Sequence, residues 1–191
     1  MVLVMSAKGR NDQGSAAKLK KALEIAQKYN PVNLGNMTSG NLYRSGSKGV
    51  FKHFTDSSIV HTVLRTRNDL DAYLNELKDS SLGMSVVVSG LFNEVFDCSR
   101  KSGLKPHTIQ YSLGVFGDTG KLPPKDILEI TTMCGHHLVS PALIKRCVRD
   151  IKRERLSLEE AARILARQCL CGVFNPMRAE RLLESLAAFK E

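Results

Sequence analysis

MCGHHLVSP (Met133–Pro141) is echoed 35 residues on by CLCGVFNP (Cys169–Pro176). In each stretch a cysteine stands seven residues before a proline that follows Ser or Asn. Ser or Asn at an N-cap satisfies the free amides of a first helical turn, and Pro at the first helical position sacrifices no hydrogen bond. Each stretch therefore reads as a loop that ends one helix and launches the next.

Working outward, the spacing of apolar residues predicts helices over about 124–133, 141–155, 158–168 and 176–189. Leu143, Cys147, Val148 and Ile151 stripe the second, and Met177, Leu182, Leu183 and Leu186 stripe the fourth. Ser157 and Glu160 have the spacing of a capping box at the start of the third. Short connections favour antiparallel neighbours, so these helices form two tandem hairpins. The loops after the first and third helices then lie at one end, with the KRERLS turn (Lys152–Ser157) at the other. Cys134, His136, His137, Cys169 and Cys171 are expected on one rim of the bundle.

That convergence points to metal chemistry. Thiolate is the form that binds metal, and a helix N-terminus favours it. Glycines after Cys134 and Cys171 let the backbone approach a bound ion or cluster. Three thiolates suit an iron–sulfur cluster with one open iron, the favoured reading, and Phe174, Met133, Leu138 and Leu170 would wall it. Adding one histidine gives Cys₃His, a structural zinc site, as the alternative. The paired C-x-x-C spacing of common zinc modules is lacking. Cys147, on an apolar stripe below the rim, and Cys98, inside an earlier helix, are read as packing residues. Redox or nucleophilic thiol chemistry and plain burial are the competing accounts.

Upstream the texture alternates. MVLVM (1–5), SIVHTVLRT (58–66), MSVVVSG (84–90) and HTIQYSLGVFG (107–117) read as strands; the third reads as buried on both faces. In the fourth, Ile109, Tyr111, Leu113 and Val115 share one face. Ser15–Tyr29, Arg67–Ser80, with Asn68 as cap, and Leu91–Gly103 read as helices. The fold class is thus α+β or α/β. An α/β domain with a mixed sheet fills 1–120, and a helical subdomain with cysteine-rich loops fills 121–191.

Residues 31–50, dense in Gly, Ser and Asn, read as a long loop. Its RSGSKG run offers Arg44, Ser45, Ser47 and Lys48 to an anion, without the spacing of a phosphate-binding Walker loop. The SGLFNE junction (Ser89–Glu94) is a second place where a ligand could gather. His53, His61 and His107 are scattered and receive no role.

Composition bounds the rest. The 191 residues are 42% hydrophobic and 25% charged, which is globular rather than disordered. Net charge is +9. Lys and Arg outnumber Asp and Glu nine to three in residues 1–60 and eleven to seven in 141–191, but number eight against nine in between. Anionic small molecules or acidic proteins are the natural partners. Nucleic acid has weaker support, because Trp is absent and no Lys/Arg block is long. No apolar run reaches the roughly 18 residues of a membrane helix, and the first residues lack a signal-peptide layout. An odd count of five cysteines fits a reducing compartment. The expectation is a cytoplasmic metal protein, iron–sulfur before zinc, with a basic α/β domain for an anionic substrate or partner. A zinc-braced adaptor for nucleic acid or an acidic protein is the second reading. The third is an α/β enzyme for a phosphorylated or carboxylate substrate with incidental cysteines. Whether catalysis occurs is left open.

Overall fold

A computed structural model describes residues 1–188. Five strands, β1 (Val2–Met5), β2 (Asn33–Asn36), β3 (Gly40–Asn41), β4 (Ile59–Val63) and β5 (Ser85–Val88), form one sheet in the order β3-β2-β4-β1-β5. Every pairing is antiparallel, so the fold is α+β. Helices α1 (Ser15–Gln27), α2 (Leu42–Val50), α3 (Arg67–Asp79) and α4 (Phe92–Lys101) are interleaved with the strands. Then follow α5 (Lys125–Thr131), α6 (Pro141–Lys152), α7 (Leu158–Gln168) and α8 (Pro176–Ala188). The expected end of the last helix at residue 189 lies outside the described residues.

Alternation along the strands sorts side chains onto two faces. Val2, Val4, Leu34 and Val60 pack with Leu19, Leu23 and Ala26 of α1 and Tyr73 of α3 as one core. Full burial of each large aliphatic side chain is worth roughly 1.5–3 kcal/mol. The other face carries Leu3, His61 and Gly35, which stand opposite one another across β1, β4 and β2. A second core gathers Ile130, Ile144, Leu165, Phe174 and Leu183 of the helical region, together with Cys134, Cys147, Cys169 and Cys171.

Four expectations are corrected. Residues 31–50 are not a loop: β2, β3 and α2 occupy most of them. Asn41 accepts from the amides of Tyr43 and Arg44 and so starts α2, which kinks at Gly46, where φ is 68°. Residues 107–117 form no strand: alternation alone does not make a strand without a neighbour to accept its hydrogen bonds. Ile109, Tyr111, Leu113, Val115 and Phe116 are all exposed. β5 is an edge strand with Val86 and Val87 exposed, not one buried on both faces. The cap of α3 is Thr66, in a capping box with Asp69, rather than Asn68. The caps expected at Ser140, Ser157 and Asn175 are present.

Candidate metal centre between the sheet and the cysteine loops

The two cysteine loops meet. α5 ends in tight turns, with the Cys134 amide on the Thr131 carbonyl at 3.2 Å and the His137 amide on the Cys134 carbonyl at 2.9 Å. α7 ends at Cys169, and the chain turns at Gly172 before Asn175 caps α8. Cys169 Sγ and Cys171 Sγ lie 3.8 Å apart, and Cys171 Sγ lies 3.8 Å from His136 Nδ1. Cys134 and Cys169 are close enough for each thiol to shift the acidity of the other. Of the candidate ligands, Cys134, Cys169, Cys171 and His136 are thus brought together. His137 is exposed, in a left-handed backbone conformation, with no contact to these sulfurs among those described.

The cluster is not a solvent-facing rim. Cys134 and Cys169 are 0% exposed and Cys171 is 1% exposed, because the sheet covers the loops. Asn33 Nδ2 donates to the Phe174 carbonyl at 3.0 Å. Asn41 Nδ2 donates to the carbonyls of Ala166 and Cys169, closing the C-terminal end of α7. Gly172 meets Gly35 backbone to backbone: a Cβ on Gly172 would lie 2.7 Å from the Gly35 nitrogen, and φ at Gly172 is +87°. Only glycine satisfies both constraints. Phe174 is buried in the wall, whereas Leu138 and Leu170 are 43% and 36% exposed.

The thiols differ in acidity. The contact with Cys169, opposed by burial, lowers Cys171 to about 7. Its hydrogen bond to Cys169, then burial, pushes Cys134 up. Cys169 is pulled down by Cys134 and pushed up by Cys171 and by burial, with a net rise. The expected lowering by helix ends is not what separates these thiols: in each the first cause is a neighbouring sulfur, and only Cys171 is lowered. Among the described residues no three or more His, Cys, Asp or Glu side chains stand as a preformed metal-holding group. The contacts seen are pairwise, Cys169 with Cys171 and Cys171 with His136.

One buried imidazole near His136 carries no signal in the sequence. His61 lies on the same sheet face as Gly35, whose Cα is covered by the backbone of Cys171. It is 5% exposed. Burial, with a smaller contribution from the nearby His136, lowers it to about 4, so the ring is neutral at pH 7. Its neighbours Val60 and Thr62 read as ordinary strand residues, and nothing local marks it.

The remaining candidates stand elsewhere. Cys147 is buried on α6, in the helical core, and Cys98 is buried on α4, with burial and Asp71 raising its thiol. Arg44, Ser45, Ser47 and Lys48 lie on α2, not in a loop. Ser45 Oγ donates to the Ser39 carbonyl at 2.5 Å, and the Arg44 amide is used by Asn41. Arg44, Ser47 and Lys48 are exposed. At the β5–α4 junction Leu91 and Phe92 face solvent. No helix is long and apolar enough to cross a membrane among the described residues. No family model, curated protein or solved structure matches the chain.

Proposed function

We propose that the protein is a metal-braced binding module: Cys134, Cys169 and Cys171 hold one zinc ion with an imidazole as fourth donor. The observation that carries this reading is the 3.8 Å separation of Cys169 Sγ and Cys171 Sγ. Zinc–sulfur bonds of about 2.3 Å in a tetrahedron set neighbouring sulfurs about 3.8 Å apart. A shared thiol proton spans the same gap, so exchanging it for a metal ion asks little of this pair. A four-iron cluster binds each thiolate to a different iron, which needs sulfurs set further apart. The spacing therefore favours zinc over the iron–sulfur alternative. His136, 3.8 Å from Cys171 Sγ, puts an imidazole at the outer edge of the site.

Held by three buried sulfurs, such an ion has a structural role, fixing two loops and the helices that follow them. The working surface is then elsewhere. The exposed face of α6 and the turn after it carry Lys145, Arg146, Arg149, Arg153 and Arg155. With a net charge of +9, this face suits a polyanion or an acidic protein. A reducing, cytoplasmic setting keeps the thiols available.

Elemental analysis and a visible spectrum of anaerobically purified protein test the metal. One zinc per chain and no visible charge-transfer band is the expected result; iron with sulfide and a brown colour would replace zinc by a cluster. No metal in either preparation, with no uptake by reduced protein, would overturn the reading. Binding to a nucleic acid that weakens steeply with salt would identify the polyanion.

A further inference from the structure

Of the two edges of the sheet, one is protected and one is not. β3 is only two residues long, and both are buried. β5 keeps an unbroken register with β1 from Ser85 to Val88, and no other strand pairs with it among the described residues. Met1 and Ser89 exchange backbone hydrogen bonds at 2.9 Å in both directions. Such positions alternate along an antiparallel pair, so Val87 and Ser85 also turn their backbone groups to β1. The N–H and C=O groups of Val86 and Val88 therefore point away from the sheet. Natural edge strands are blunted by a charge, a proline, a bulge or extreme shortness, and β5, with the sequence SVVV, has no such device.

Charge points to the occupant of this edge. The chain carries +9 overall, yet no residue between Asp79 and Glu94 is charged. Val86 is 39%, Val87 48% and Leu91 77% exposed, so the neutral surface is also apolar and continues past the end of the strand. A charge-free edge offers an acidic or basic partner nothing to recognise, and it lets two copies of a cationic chain meet there without repelling each other. The chain's own strand-patterned segment, 107–117, is engaged elsewhere. Tyr111 packs edge-on to Phe92 with ring centroids 6.3 Å apart, and Ile109 borders a cavity beside α4 with Phe96 and Leu104.

We infer that β5 pairs with β5 of a second copy of this chain, antiparallel about a two-fold axis at Val87, so that two sheets join edge to edge. This stands independently of the zinc reading. A two-fold contact uses the same patch on both sides, and an antiparallel edge is complementary to itself. With Val87 opposite Val87, Val86 of each copy stands opposite Val88 of the other, and all their outward N–H and C=O groups are paired. A centre at Val86 would instead set Val88 opposite Met84, outside the strand. The two Val87 side chains meet across the axis, on the sheet face that Val87 shares with Leu3. Contacts smaller than roughly 1,200 Å² are weak and transient, so monomer and dimer are expected to exchange as concentration changes.

Sedimentation equilibrium of the full chain at rising concentration is expected to move the mass from 21.1 kDa towards twice that value. Val87→Lys sets like charges opposite each other and should weaken self-association at least roughly tenfold. Val87→Glu should do the same. Mixing the two variants should restore the dimer, because Lys then faces Glu, and this outcome requires a contact centred on Val87. Val86→Pro removes one outward N–H without touching the bonds to β1, and should also give monomer. If these variants do not fold, amide exchange of the wild type carries the test: the Val86 and Val88 amides should be protected at high concentration and exchange on dilution. A wild type that stays monomeric at every concentration would overturn the inference. Protected Val86 and Val88 amides in that monomer would place residues 107–117 on the edge within one chain, and unprotected ones would leave the edge to a different protein. A dimer indifferent to both Val87→Lys and Val86→Pro would overturn it as well, moving the contact to another face.

Discussion

At the scale of single residues, the five cysteines divide by what surrounds their sulfur. Cys169 and Cys171 touch each other, and Cys134 reaches Cys169. Cys147 lies apart, its thiol raised by burial and by Asp150. Replacing sulfur by a hydroxyl should therefore have opposite consequences. Cys169→Ser or Cys171→Ser is expected to abolish stoichiometric zinc. Cys147→Ser should retain it and lose about 1–3 kcal/mol, the cost of burying a hydroxyl with no partner. Zinc content by elemental analysis, beside a urea unfolding curve for each variant, separates the two classes. A zinc-free Cys147→Ser protein that still folds would show that the metal is held on the wrong side of α6 for the arrangement proposed.

At the scale of elements, two side-chain junctions hold pieces in place. Asn41 starts α2 with its oxygen and closes the end of α7 with its nitrogen, while 0% exposed. Asn41→Ala would leave two carbonyls and two amides short of partners. A loss on the order of 2–4 kcal/mol is expected in urea unfolding. Asp56 performs a similar task at the surface, accepting from the amides of Gly14 and Ala16 at the start of α1. Those hydrogen bonds favour the carboxylate and lower its pKa in the folded state. Its contribution is therefore present above the unfolded value of about 3.9 and is lost as pH falls through the folded one. Asp56→Asn should lower the melting temperature at neutral pH and flatten the acid limb below about pH 4. A variant with the same acid limb as wild type would argue against this role. These junctions explain what the sequence disclosed. Ser140, Ser157 and Asn175 act on amides two or three residues away, so their helices were legible, and so was the meeting of the loops. β2 was hidden because it lies within a stretch rich in Gly, Ser and Asn that looks like a loop, and its partner strand is 26 positions on, with His61 opposite Gly35. Residues 107–117 misled for the converse reason, having the alternation of a strand but no partner.

At the scale of the whole molecule, two hydrophobic cores are joined by polar clamps rather than by a shared apolar interior. Asn33 on Phe174, Asn41 on Ala166 and Arg167 on the Tyr43 carbonyl at 3.1 Å all cross from the sheet region to the helical region. Gly35 and Gly172 let the two backbones approach. The covalent route between the regions is different in kind. Between α4 and α5 the chain has only one short helical turn, Thr119–Lys121, and Tyr111, Leu113 and Phe116 are 69%, 80% and 79% exposed. Exposed backbone outside regular structure is where proteases cut first. Brief chymotrypsin treatment should therefore cleave at these three residues before any site in the strands or in α5 to α8. The nicked halves should still elute together on gel filtration, because the clamps and glycine contacts do not depend on the severed segment. Zinc should leave their separation in urea nearly unchanged, since Cys134, Cys169 and Cys171 all lie after the cut. Halves that separate at once in native buffer would show that the side-chain clamps and the Gly35–Gly172 approach are too weak to hold the loops on the sheet.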